Sequence, residues 1–152
     1  MEQTRTLLTL AVVSLLISTA PSPQAGDDLK KPFRLKSGSE IIDVNTGHAA
    51  PYLFDFDDDG VRDLLVGEFG KGRLDFEGQL YVRGRLRIYR NVGNEAKPQY
   101  DGFKWFQAGG KIAEVPITCC VSFCPEPVDW DGDGDMDMLT GSYPGHLYLY
   151  LN

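Results

Sequence analysis

Residues 55–63 read Asp-Phe-Asp-Asp-Asp-Gly-Val-Arg-Asp, five aspartates in nine positions. Carboxylates about 5 Å apart repel by about 1 kcal/mol per pair even in a water-like dielectric. Something must offset that repulsion, or the segment is unfolded. The segment has a counterpart. Residues 129–137 read Asp-Trp-Asp-Gly-Asp-Gly-Asp-Met-Asp, again with five aspartates. Asp55-x-Asp57-x-Asp59-Gly60-x-x-Asp63 and Asp129-x-Asp131-x-Asp133-Gly134-x-x-Asp137 match station by station. Each runs on into an apolar stretch, Leu64-Leu65-x-Gly67 and Met138-Leu139-x-Gly141.

The correspondence extends outward in both directions. Upstream, Gly38-x-x-Ile41-x-x-Val44 answers to Gly109-x-x-Ile112-x-x-Val115, and Pro51-x-x-Phe54 to Pro125-x-x-Val128. Downstream, Gly84 to Asn91 answers to Gly145 to Asn152. The spacing between counterparts is 71, then 74, then 61 residues. The drop places extra residues of the first unit within about 70–83, and a short insertion of the second between Val115 and Asp129. Self-similarity in fixed order marks a repeat architecture. Unit 1 spans about 33–100 and unit 2 about 103–152. Leu86 and Ile88, and Leu147, Leu149 and Leu151, alternate with other residues in the period of a half-buried strand. Glycine and proline punctuate the junctions. No helical pattern follows residue 25. The expected fold class is all-β, with three or four short antiparallel strands per unit, the content of a propeller blade.

Calcium takes six to eight hard oxygen ligands, and carboxylates on a flexible turn supply them. In both loops positions 1, 3 and 5 offer side-chain oxygens, and the glycine permits the sharp turn. The next residue, Val61 or Asp135, can offer a backbone carbonyl, and position 9 closes the shell. The expectation is two Ca2+ sites: Asp55, Asp57, Asp59, Val61 and Asp63 in one, Asp129, Asp131, Asp133, Asp135 and Asp137 in the other. Asp58 does not match across the loops, and neither does Asp135, so no ligand role is assigned to either side chain. Magnesium suits such an oxygen-rich loop less well. An EF-hand is excluded because its loop position 12 must be Glu, flanked by helices. That position here is Val66 or Thr140.

DFDDDGVRDLLVG and DWDGDGDMDMLTG, each followed by a G-x-L-x-[IL]-Y strand, resemble FG-GAP/VCBS repeats, the calcium-binding blades of integrin-α-like β-propellers. The resemblance covers about residues 33–152. It implies an exported, non-catalytic calcium-binding protein used in adhesion or protein interaction, with calcium rigidifying each blade's outer hairpin. A polysaccharide-processing or carbohydrate-binding propeller protein is the alternative. Closed propellers have at least four blades, whereas this sequence holds about two, an incomplete propeller. The chain is then either part of a longer protein or one of several copies forming a ring. Two blades alone leave exposed edges that favour self-association. The protein or glycan ligand is not identified by the sequence.

The N-terminus has a different character. A short polar start with Arg5 precedes the apolar run Thr6–Thr19, then Ala20 and a loose Pro-Ser-Pro-Gln-Ala stretch. This is the pattern of a secretory signal peptide, residues 1–25, cleaved after Ala20 or Ala25. A retained anchor helix is the competing reading, although the run is short for a membrane span. Export would place residues 26–152 in the periplasm, at the cell surface or outside the cell, without membrane contact after cleavage. The formal net charge is −7. It is concentrated in the two acidic loops on a nearly neutral body, which favours cation binding and gives no support to nucleic-acid binding.

Cys119, Cys120 and Cys124 cluster ahead of the second loop. In an exported chain they suggest one disulfide, joining Cys124 to Cys119 or Cys120 rather than a strained Cys119–Cys120 bond, and a spare thiol, with three buried or partly oxidised cysteines packing the loop as the alternative. Arg83, Arg85 and Arg87 alternate along one strand and read as a solvated edge-strand face, with an anionic-ligand patch as the alternative. Phe103, Trp105 and Phe106 read as core between the units, with a sugar-stacking platform as the alternative. His48 and His146 stand alone, and no catalytic constellation is present in the sequence.

Overall fold

The computed structural model describes residues 29–44, 48–69, 73–74, 80–117, 122–142 and 144–152. The signal-peptide segment, Cys119 and Cys120 lie outside these. The chain divides into two compact units, Met1–Pro32 and Phe33–Asn152. In the first, the described residues 29–32 form no regular structure.

Among the described residues the second unit is all-β, with antiparallel pairing between every pair of strands and no helix. In chain order the strands are β1 (Lys36–Ser37), β2 (Glu40–Ile41), β3 (Ala50–Phe54), β4 (Asp63–Phe69), β5 (Arg73–Leu74), β6 (Leu80–Tyr89), β7 (Lys104–Trp105), β8 (Gln107–Ala108), β9 (Lys111–Ile112), β10 (Val115–Ile117), β11 (Glu126–Val128), β12 (Asp137–Gly141) and β13 (Leu147–Tyr150). A six-stranded sheet runs β10-β6-β4-β3, with β5 and β7 also paired to β6. A three-stranded sheet runs β11-β12-β13, and β1-β2 and β8-β9 are small hairpins.

The two larger sheets share one register. In the first, Leu53 faces Leu64, Phe54 faces Asp63, Leu65 faces Ile88 and Gly67 faces Leu86. In the second, Pro127 faces Met138, Val128 faces Asp137, Leu139 faces Leu149 and Gly141 faces Leu147. These are the counterparts at the sequence spacings 74 and 61. Both sheets therefore present an acidic loop between their first two strands at the same place in the ladder.

The seven residues of β4 are all buried, because strands flank it on both edges and side chains cover both faces. Leu65, Leu86 and Ile88 on one face pack with Ala113, Val115, Phe123 and Met138. Leu64, Val66 and Tyr89 on the other pack with Tyr100, Ile42 and Val44. Gly67 has a steric role in the first cluster. A Cβ built there would lie 1.5 Å from the Phe123 carbonyl oxygen, so only glycine admits that backbone.

Candidate metal centres

Each loop is drawn into its shape by its own aspartates. Asp55 accepts the amides of Asp59 (3.1 Å) and Gly60 (2.8 Å), and Asp129 accepts that of Gly132 (2.7 Å). Asp59 accepts the Val61 amide at 2.8 Å, and Asp133 accepts the Asp135 amide at 2.9 Å. Gly60 and Gly134 take positive φ, 86° and 97°, at the sharp turn. The fourth station is left-handed too, occupied by Asp58 in one loop (φ 57°) and Gly132 in the other (φ 78°). The backbone requirement explains the mismatch there: glycine meets it freely, and aspartate is among the few side chains that tolerate it.

Three carboxylates converge in each loop. Asp55, Asp57 and Asp59 offer ligand atoms all within 4.8 Å of one another, as do Asp129, Asp131 and Asp133. Asp63, Asp137 and the Asp135 side chain are not in these gathered sets. Asp63 and Asp137 are buried, and both oxygens of each already accept backbone amides. Asp63 takes those of Phe56 (3.2 Å) and Asn91 (2.7 Å). Asp137 takes those of Trp130 (2.9 Å) and Asn152 (2.9 Å). Each thus fastens the start of its loop to the residues following the sheet's third strand. Burial pushes the Asp63 carboxyl above the usual aspartate value. The two amide bonds oppose that rise, and the charges of Asp57 and Asp59 add to it.

The two clusters differ in their surroundings. Asp57 forms an ion pair with Arg90, while its Oδ1 is buried with no hydrogen-bond partner. A buried carboxylate oxygen without a donor is a strong acceptor that a hard cation would satisfy. The counterpart of Arg90 is Leu151, so the second cluster lacks an arginine at that station, and its three carboxylates are all exposed. Arg62 and Glu95 form a bidentate pair, 2.7 Å at its shortest, that ties the first loop to the turn after β6. The Arg62 guanidinium holds the Glu95 carboxyl at about 2.

A groove of about 470 Å³ lies between the two loops, lined in part by Asp55, Phe56, Asp58, Phe106, Asp135 and Tyr150. Phe106 meets Phe56, Phe123 and Tyr150 edge-on, so it sits in the core between the sheets as expected. Phe103 and Trp105 instead stack on arginine. Arg87 lies 4.4 Å from the Phe103 ring centroid and 5.4 Å from that of Trp105.

The arginine series does not form a solvated edge. β6 is paired on both sides. Arg87 is buried and forms an ion pair with buried Glu68, and it also donates to the Asp43 carbonyl at 2.8 Å. Arg83 and Arg85 both bind Glu114. Burial alone would raise the Glu114 carboxyl, but the hydrogen bonds from these two arginines carry it below its usual value. The positive charge is thus spent internally, and only Arg83 of the three is exposed. Cys124 is a free, exposed thiol, and the bridges expected to Cys119 or Cys120 fall outside the described residues.

The sequence reading missed Arg90 and Asn91. The Asn91 side chain accepts the amides of Gly93 (3.0 Å) and Gln99 (2.9 Å), shaping the turn beside the first loop. Its correspondence with Asn152 was visible as a signal. No family model, curated protein or solved structure matches this chain.

Proposed function

We propose that the chain is an exported calcium-binding protein of the FG-GAP/VCBS type, whose two sheets are propeller blades, acting as a non-catalytic scaffold for adhesion or protein interaction. The observation that carries this is the gathering of three carboxylates in each of two loops at one station of two sheets with a common register. The unpartnered buried Oδ1 of Asp57 supports it. Asp55, Asp57 and Asp59, with the Val61 carbonyl, would hold one Ca2+. Asp129, Asp131 and Asp133, with the Asp135 carbonyl, would hold the other. Asp63 and Asp137 would close each site, while fastening the loop to the third strand. A bound ion would neutralise the clustered charge and lock the turn; the groove between the loops would then present a fixed surface.

The test is calorimetric titration of the chelator-stripped chain with calcium. Two equivalents per chain are expected, with Kd about 10⁻⁴ to 10⁻³ M, the range of extracellular modules. No uptake in that range would overturn the reading. Trp130, 61 % exposed within the second loop, favours a second reading, in which the ligand is a carbohydrate. Aromatic faces beside carboxylates suit sugar rings and hydroxyls. A glycan array probed with and without calcium separates the two.

A further inference from the structure

The face of the six-stranded sheet that carries Leu65, Gly67, Leu86 and Ile88 is closed. Leu65 and Leu86 have no exposure at all, and residues from the following segment cover them. The corresponding face of the three-stranded sheet carries Leu139, Gly141, Leu147 and Leu149. Here Leu147 is 77 % exposed and Leu151 is 60 % exposed. Gly67 has the Phe123 backbone pressed against it, whereas the nearest atom to a Cβ on Gly141 is 4.0 Å away.

Among the described residues the backbone is open at the same place. Leu86 accepts the Phe106 amide at 2.9 Å, as β7 joins β6 with Trp105 opposite Arg87 and Lys104 opposite Ile88. On β13, the Ser142 amide bonds the His146 carbonyl at 2.9 Å. Alternation along an antiparallel ladder then turns the N–H and C=O groups of Leu147 and Leu149 away from β12. An open edge bearing apolar side chains is a template for another strand.

The same chain carries the complementary piece. Phe33–Ile42 is built like Lys104–Ala113: the β1-β2 and β8-β9 hairpins share a register. The Ile42 amide bonds the Leu35 carbonyl at 3.0 Å, and the Ala113 amide bonds the Phe106 carbonyl at 3.0 Å. Leu35 therefore occupies the station of Phe106, yet its own amide has no acceptor among the described residues. Phe33 is 82 % exposed and Leu35 41 %.

We propose that this protein associates head to tail, with Phe33–Lys36 of one copy adding to β13 of the next. The Leu35 amide donates to the Leu147 carbonyl, Arg34 lies opposite Tyr148, and Phe33 lies opposite Leu149. The Ala49 backbone closes over Gly141 as Phe123 closes over Gly67. Because the two contributing surfaces differ, the contact propagates into a ring or an open chain rather than a two-fold dimer. The inference rests on the shared register and not on the metal reading.

The experiment is sedimentation equilibrium on the full chain across a concentration series, in calcium and in chelator. Wild type is expected to exceed the mass of one copy. The head variant Leu35→Pro removes the amide donor, and the tail variant Leu147→Asp charges the acceptor face. Each alone should sediment as one copy. Their equimolar mixture should recover the mass of two copies and no more, since each variant retains one intact surface. Gly141→Ala, unstrained within one copy, should also lower the mass and keeps the test sound should Leu35→Pro fail to fold. Single-copy mass for wild type at every concentration overturns the proposal, as does wild-type association in both tail variants. Association that persists in chelator while calcium uptake is absent sinks the metal reading alone.

Discussion

The Asp63 Oδ1 accepts the Asn91 amide at 2.7 Å, across 28 residues of chain, and Asp137 does the same for Asn152 at 2.9 Å. One buried carboxylate in each sheet joins an acidic loop to the residues beyond the third strand.

Removing that group should be costly. Asp63→Ala leaves the Phe56 and Asn91 amides without their acceptor, and hydrogen bonds to a charged group contribute about 1.5–3 kcal/mol each. A loss of about 3 kcal/mol in urea unfolding is expected. Asp63→Asn keeps one good acceptor and should lose less. If Asp63→Ala unfolds at the wild-type urea midpoint, the fastening role is wrong.

Arg90, paired with Asp57, would compete with a cation at the proposed first site. Arg90→Ala should therefore raise the calcium affinity of the first site by about threefold to tenfold, corresponding to the modest worth of a partly exposed ion pair. The second site should not change. Calorimetry on wild type and variant reads both sites. A fall in affinity would mean that Arg90 positions the carboxylate rather than competing for it.

Glu114 gives the fold a predictable acid response. Its carboxyl titrates below the ordinary value of 4.5 in the folded chain. It therefore binds its proton more readily in the unfolded state, so stability rises with pH across that window. The contribution is full above about pH 4.5 and is lost as pH falls through the depressed value. Glu114→Gln should cost about 1–2 kcal/mol at neutral pH and progressively less below pH 4, a gap that closes when unfolding curves are compared across pH.

The two strand glycines should respond oppositely. Gly67→Ala drives a Cβ into the Phe123 carbonyl and should destabilise by about 2–3 kcal/mol through forced backbone movement. Gly141→Ala should be neutral or slightly stabilising in a dilute single copy, since glycine in a strand interior weakens it. Thermal melts of the two variants make the comparison; equal losses would mean that Gly67 is not held by that contact.

The strands and the acidic turns were legible because alternation and Asp-Gly spacing are local signals, and local signals survive in the fold. Leu64, Leu65 and the Leu147–Leu149 pattern lie in strands at the places their periodicity indicates. Arg87 was not legible. Three alternating arginines look like a wet face, and only the arrival of Glu68 from β4 and of Phe103 and Trp105 from beyond β6 buries one of them. Neither partner can be read from β6 itself. The Asp63 and Asp137 stations were legible as acids, but not their use of both oxygens on backbone amides. That pairing depends on where the third strand ends, which the spacing alone does not show. Arg90 escaped notice because its counterpart is Leu151, and comparison of the two units rewards only what they share.

The unbroken burial of β4 sets an order of opening for the molecule. Amides of Leu64–Val66 exchange with solvent only when the larger sheet comes apart, because both neighbouring strands must leave first. Within a single copy β13 is paired, among the described residues, on one edge alone, and can peel away by itself. Hydrogen exchange will therefore fall into two classes, and a protease applied under native conditions will find its first foothold around Leu147 while the strand that follows Asp63 is still intact.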